Sequence, residues 1–271
     1  MTKLKDKVII ITGASSGIGE ALAQEAYLKQ MRVVLAARNL DSMNSMTIAN
    51  NWDPIRFMVV KTDVSQEEDC KKLVQETINR FGCIDILINN AGISMRALFD
   101  EMNLNVLHTL MNVNFWGTVY CSYHAMPWLL KSKGSLVGVS SIAGFKGLPA
   151  RTGYSASKFA LHGLLETIRI ENLKKGLHVM IACPGFTASN IRKKALAKDG
   201  SQQDESPRNE HQMMSANKVA LHILKAIDKR ERTVVLTRQG KLTVWLNKLF
   251  PTWVDRLVYK HMAKEPDSPF K

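Results

Sequence analysis

Short apolar runs alternate along this chain with stretches of helix-forming composition, and that alternation limits the fold more than any other feature. Val8-Ile9-Ile10-Ile11 is ended by Thr12-Gly13, and Ala21 to Gln30 then reads as a helix. Val33 to Ala36 and Phe57 to Val60 read as strands. Gln66 to Phe81 reads as a helix with Cys70, Leu73, Val74, Thr77 and Ile78 on one face. Ile84 to Ile88, Ser135 to Val139, Val179 to Ala182 and Thr233 to Leu236 continue the strand series, and Ala216 to Lys229 adds a helix. Strands apolar at every position are buried on both faces. Separated by helices, they imply a parallel sheet with right-handed crossovers. The expected fold class is α/β, a doubly wound parallel sheet flanked by helices in a single domain.

The 271 residues, 45% hydrophobic and 23% charged, exclude disordered and fibrous classes. No apolar run reaches the ~18 residues of a membrane span, and Met1 to Lys7 leads straight into the first strand pattern, so a cytoplasmic location is expected. Cys70, Cys83, Cys121 and Cys183 are scattered without metal-ligand spacing, so neither a disulfide framework nor a metal site is indicated. The polar stretch from Ile191 to His211, with Asp204-Glu205-Ser206-Pro207, is too long for an ordinary connection. It is read as part of a lid at about 186–215. The expected division is a catalytic unit at 1–240 and an extension at 241–271.

Gly13-Ala14-Ser15-Ser16-Gly17-Ile18-Gly19 lies between the first strand and the first helix. Small residues there let the backbone approach a pyrophosphate, whose charge meets the helix N-terminal N–H groups. With the motifs that follow it in order, the chain resembles the classical short-chain dehydrogenase/reductase family, with its Rossmann-like fold. Asn89-Asn90-Ala91-Gly92 follows the fourth strand, Asn114 lies in Asn112-Val113-Asn114-Phe115-Trp116-Gly117, Ser141 ends the fifth strand, Tyr154 and Lys158 form YxxxK, and Pro184-Gly185 follows the sixth strand. The resemblance covers roughly residues 7 to 190. It implies catalytic roles for Asn114, Ser141, Tyr154 and Lys158, with Asn114 holding a water that links Lys158 to solvent. It also implies cofactor contacts from Gly13, Ser15, Ser16, Gly17, Ile18, Gly19, Asp63, Val64, Asn90, Ala91, Gly92, Tyr154, Lys158, Pro184, Gly185, Thr187 and Ser189. Ser189 departs from the family's usual threonine but keeps the hydroxyl.

The residue chemistry supports the same assignment. Helical i,i+4 spacing puts the Tyr154 phenol and the Lys158 ammonium on one face. Tyrosine titrates near ~10, so a nearby cation is needed before it can serve as a base at neutral pH. Ser141 is placed to hydrogen-bond a substrate oxygen, whereas strand alternation turns Ser140 away. Arg38, after the second strand, offers a guanidinium fork suited to a ribose 2′-phosphate where an NAD site would carry an acid. NADP(H) is therefore the expected cofactor. Met95, Phe145, Leu148 and Phe186 are candidates for an apolar substrate pocket or for packing under the lid.

Leu242, Trp245, Leu246, Leu249 and Phe250 form a helical stripe before Pro251. Trp253, Val254, Leu257, Val258 and Met262 form a second one among basic residues. These helices are expected to enclose the substrate cleft or meet a partner subunit, with a peripheral membrane contact as the other reading. Similar tails occur in lipid- and steroid-handling members of the family. The overall expectation is an NADP(H)-dependent oxidoreductase acting on a hydrophobic carbonyl/alcohol pair. A β-ketoacyl carrier-protein reductase and a non-catalytic NADPH-sensing or scaffold protein are the alternatives. The formal charge of +13, from 37 basic and 24 acidic residues, favours an anionic partner without choosing one. No nucleic-acid role is expected. Family analogy implies a homodimer or homotetramer through the Asn105 to Lys131 and Ser155 to Lys175 segments.

Overall fold

The computed structural model describes residues 3–203, 213–264, 268 and 270. Its strands are β1 (Val8–Thr12), β2 (Arg32–Ala37), β3 (Phe57–Lys61), β4 (Ile86–Asn89), β5 (Ser135–Val139), β6 (His178–Cys183) and β7 (Thr233–Val235). They form one sheet in the order β3-β2-β1-β4-β5-β6-β7. Every pairing in it is parallel. The helices are α1 (Gly17–Leu28), α2 (Leu40–Ala49), α3 (Glu67–Phe81), α4 (Leu104–Met111), α5 (Gly117–Lys131), α6 (Thr152–Glu171), α7 (Ala216–Asp228), α8 (Arg238–Leu249) and α9 (Pro251–Ala263).

Successive strand residues serve opposite faces of the sheet. Ile9 and Ile11 of β1 pack with Leu22 and Ala26 of α1 and with Val219 and Ile223 of α7. Val8 and Ile10 pack with Leu73 of α3, Ala125 and Leu129 of α5, and Leu161 and Leu165 of α6. This period-two division explains why the strand interiors are apolar on both faces. The strand order reverses between β1 and β4, which opens the crevice at the carboxyl ends of these two strands where doubly wound sheets bind ligands.

Two element boundaries differ from the sequence reading for local reasons. Strand β4 begins at Ile86 rather than Ile84, and the Asp85 carboxylate ties the start of β4 to the residues that open β1. Its Oδ2 accepts from the Val8 N–H at 2.9 Å and its Oδ1 from Lys7 Nζ at 2.8 Å. Helix α1 begins at Gly17, directly on the glycine turn, rather than at Ala21.

Of the segment expected as a lid, residues 204–212 lie outside the described residues. The described part docks on the loop after β4 through a bridge of Met95 with Leu196, and its two ends are joined by a bridge of Thr187 with Met214. Met95 is fully buried in a cluster with Ala97, Met102, Val106 and Leu110, against which the partly buried Leu196 packs. Among the described residues no helix is long and apolar enough to cross a membrane.

Candidate active site

Gly13 and Gly17 occupy the left-handed region, at φ 67° and 59°, so the turn after β1 needs residues without a Cβ. Gly19 is required for a different reason. A Cβ there would lie 2.1 Å from the Gly13 carbonyl oxygen and 2.5 Å from Asn90 Nδ2. Asn90 Nδ2 in turn donates to the Thr12 and Gly13 carbonyls at 2.9 and 3.3 Å, and the Thr12 hydroxyl accepts from the N–H groups of Asn90 and Ala91 at 3.0 Å each. Thr12 thus clasps the ends of β1 and β4 together. Thr12 heads the glycine motif, but one hydroxyl at a strand end carries no periodic signal, so this role is not readable from the sequence. Ser16 opens α1 without a side-chain cap bond. Ser15 holds Ser42 of α2 through its carbonyl at 2.8 Å, and a Cβ on Gly17 would meet Ser189 at 3.3 Å. The glycine turn and the segment after β6 therefore face each other across the crevice.

Arg38 is exposed directly after β2, and the next residue, Asn39, caps α2 by accepting from the Ser42 N–H at 3.0 Å. Asp63 Oδ1 accepts from both the N–H and the hydroxyl of Ser65, at 3.0 and 2.8 Å, which fixes the turn after β3. Val64 is buried against Gly117 at the start of α5.

A single π-helical turn, Asn112–Trp116, interrupts the run from α4 to α5 and carries Asn114. The Asn114 side chain is buried and grips the loop after β4. Its Oδ1 accepts from the Ile93 N–H at 2.8 Å, and its Nδ2 donates to the Ile93 carbonyl and to Ser157 Oγ, both at 3.0 Å. Gly92 is squeezed between Asn114 and Lys158: a Cβ on it would lie 3.1 Å from Asn114 Oδ1 and 3.6 Å from Lys158 Nζ.

Helix α6 brings Tyr154 and Lys158 to the same place. The Lys158 ammonium donates to the Val139 carbonyl at 2.9 Å and lies 5.7 Å from the centre of the Tyr154 ring. Burial lowers the Lys158 pKa to about 8, against an upward pull from Cys183. Burial raises the Tyr154 phenol, while a hydrogen bond with Ser141 and the guanidinium groups of Arg151 and Arg192 pull it down. Ser141 caps the 3-10 turn Ile142–Gly144, accepting from the Ala143 N–H at 3.2 Å. The phenol, the serine hydroxyl and the ammonium thus converge at the end of β5.

These groups open onto a cavity of about 530 Å³. Asn90, Gly92, Ser141, Tyr154, Lys158, Pro184, Gly185, Thr187 and Ser189 line its polar side, with Ile18 beside the glycine turn. Leu148 and Phe186 line it as well, but Met95 and Phe145 do not. Met95 is sealed against Leu196 in the segment after β6, and Phe145 packs edge-on against His162 at 4.6 Å. The apolar wall comes from the tail: Leu242 and Leu246 of α8 and Val254, Val258 and Met262 of α9. Trp245, Leu249 and Phe250 remain more than half exposed, so the stripe read from the sequence divides between cavity and surface. The tail is tied down where Asn247 Nδ2 donates to the Phe145 carbonyl at 3.1 Å and where Lys146 pairs with Asp255.

Residues 7–200 match the family model described as short chain dehydrogenase. The 11-beta-hydroxysteroid dehydrogenase A of Sesamum indicum is 34% identical over 271 residues, covering 96% of this chain and 78% of that protein. The 11-beta-hydroxysteroid dehydrogenase-like 2 of Arabidopsis thaliana is 40% identical over 187 residues, covering 68% of this chain and 60% of its own length. A crystal structure of a short chain dehydrogenase/reductase from Burkholderia phymatum in complex with NAD superposes with a TM-score of 0.80. It is 24% identical, covering 92% of this chain and 95% of that one, a likeness of fold.

Proposed function

Because the chain belongs to the short chain dehydrogenase family, we propose that it is an NADP(H)-dependent oxidoreductase interconverting a carbonyl and an alcohol on a hydrophobic substrate. The observation that carries this reading is the convergence of Tyr154, Ser141 and Lys158 at the polar end of a cavity whose far wall is apolar. The crevice fits a dinucleotide: Gly19 has no room for a Cβ, and the glycine turn leads directly into the N-terminus of α1. A bound nicotinamide cofactor supplies or accepts the hydride.

The chain's own residues handle the oxygen and the proton. Ser141 orients the carbonyl oxygen beside the phenol, and Tyr154 donates its proton to that oxygen in reduction and removes it in oxidation. The buried phenol, with its raised pKa, holds its proton at neutral pH, which suits the reductive direction. Lys158, anchored on Val139, stabilises the phenolate that proton donation leaves behind. Asn114 keeps the loop after β4 against α6 and is the residue proposed to link Lys158 to solvent. A panel assay of NADPH oxidation with hydrophobic ketones, steroids, acyl thioesters and sugars tests the reading. Turnover confined to sugars would overturn the hydrophobic substrate, and no turnover with any carbonyl would overturn the activity.

The preference for NADP(H) rests on Arg38, which is exposed where an acid would select NAD. The variant Arg38→Asp is expected to lose about tenfold to a hundredfold in NADPH affinity, the ~1.5–3 kcal/mol of a charge-assisted contact, and to prefer NADH. Fluorescence titration with both cofactors checks this, and equal wild-type affinities would remove the role of Arg38.

Residues 1–240 are proposed as the catalytic unit and 241–271 as an extension that closes the substrate cavity, a boundary that falls inside α8. Truncation after Gly240 is expected to lower kcat/KM for hydrophobic ketones at least tenfold, since several side chains worth ~1.5–3 kcal/mol each would be lost from the wall. NADPH affinity should stay within a few-fold. The exposed Trp245, Leu249, Phe250 and Trp253, with Lys248 and Arg256 nearby, favour a second role for this tail at a lipid surface or a subunit contact. Salt-sensitive flotation with anionic vesicles, lost on truncation, supports the lipid contact. A change of assembly state without flotation supports the homodimer or homotetramer.

A further inference from the structure

Tyr154, Lys158 and His162 follow one another at i, i+4 and i+8 along α6, and each holds a different residue of one tripeptide at the end of β5. Tyr154 meets Ser141 at the cavity edge, Lys158 Nζ donates to the Val139 carbonyl at 2.9 Å, and His162 Nε2 bonds Ser140 Oγ at 2.7 Å. The third contact is internal to the protein. Ser140 and His162 are both buried, with Cys183 Sγ 3.8 Å from the same ring nitrogen and Phe145 edge-on to the ring. The pair also seats the turn that Ser141 caps: a Cβ on Gly144 would lie 2.5 Å from His162 Nε2 and 2.7 Å from Ser140 Oγ.

We infer that His162 is a positioning residue for the reaction, holding Ser140 so that Ser141 faces the phenol and the Val139 carbonyl faces Lys158. The inference rests on the proposed oxidoreductase activity for its kinetic consequence but on geometry alone for its structural one. A strand end can rotate about its axis, and in a period-two strand such a rotation would carry Ser141 out of the site. Ser140 sits between Val139 and Ser141, so a buried bond from α6 to its hydroxyl resists that rotation. Burial holds the imidazole below its ordinary range. Lys158 and Arg169 push the same way and Glu166 opposes them, so the ring is neutral and one nitrogen is free to share the bond.

The test is a mutant cycle of His162→Leu, His162→Gln, Ser140→Ala and the double variant His162→Leu/Ser140→Ala, read with NADPH and phenanthrenequinone as the carbonyl probe. His162→Leu should lower kcat about tenfold to a hundredfold with NADPH affinity and KM within about threefold. His162→Gln, whose amide reaches the same hydroxyl, should recover most of that loss. The double variant should be no slower than the worse single one, the non-additivity of two ends of one bond. Equal losses for leucine and glutamine, fully additive losses, or a wild-type kcat in His162→Leu would each overturn the inference.

A second readout needs no turnover. The Ala143 amide, held by Ser141 Oγ, should exchange with solvent at least about tenfold faster in His162→Leu than in the wild-type protein. Unchanged exchange overturns the positioning role. Absence of wild-type turnover with accelerated exchange in the variant overturns the proposed activity and leaves the positioning role standing. If His162→Leu fails to fold, the same exchange comparison between wild type, His162→Gln and Ser140→Ala decides it: Ser140→Ala must accelerate exchange and His162→Gln must not.

Discussion

Replacing Tyr154 by phenylalanine is expected to lower carbonyl reduction by about a thousandfold while leaving NADPH affinity within a few-fold. A positioned general acid contributes ~10²–10⁴ to rate, and the variant removes it with little change of volume. The Tyr154 ring keeps its place at the cavity edge because the backbone around it is held independently: the Ser155 N–H donates to the Arg151 carbonyl at 2.7 Å and Ser157 Oγ donates to the Tyr154 carbonyl at 2.8 Å. The measurements are single-turnover oxidation of bound NADPH and a fluorescence titration of the cofactor. Full turnover by the variant would remove Tyr154 from the chemistry. An equal loss in binding and turnover would recast it as a cofactor ligand.

The second large effect is expected at Gly19. Its α1 position tolerates a Cβ as far as backbone angles are concerned, yet the added methyl would lie 2.1 Å from the Gly13 carbonyl oxygen. The obstacle is backbone, so no rotamer change relieves it. The turn must open, and Asn90, which bonds both Thr12 and Gly13 carbonyls, must move with it. Gly19→Ala is therefore expected to lose at least about a hundredfold in NADPH affinity and ~1–3 kcal/mol of stability, the usual cost of overfilling a packed site. Cofactor titration and urea unfolding measure the two terms. Wild-type values for both would mean that the turn is looser than the geometry implies.

Much of the fold was legible because burial on both faces leaves a direct imprint. Residues 8–11, 33–37 and 136–139 of β1, β2 and β5 carry no polar side chain, and α3 carries its apolar face at helical spacing. The site was legible where chemistry demands a residue type at a fixed spacing, as in Tyr154 and Lys158 one turn apart on α6. The π-helical turn that delivers Asn114 had no such signature, since its bonding differs from an α-turn by one residue and leaves composition unchanged. The sequence also left Met95 and Leu148 equivalent as pocket candidates. Packing separated them, because the bridge to Leu196 buries Met95 while Leu148 stays open to the cavity.

The sequence by itself determined the layered α/β architecture, the glycine turn and the order of the polar motifs, because each rests on local rules: periodicity, backbone sterics and helical spacing. Tertiary structure alone decided which half of the Leu242–Phe250 stripe faces the cavity. It also decided that the buried Ser140 hydroxyl bonds a histidine two turns along α6 from Tyr154. Those outcomes depend on how distant segments meet, and an apolar or polar side chain carries no mark in the sequence of the partner that will cover it.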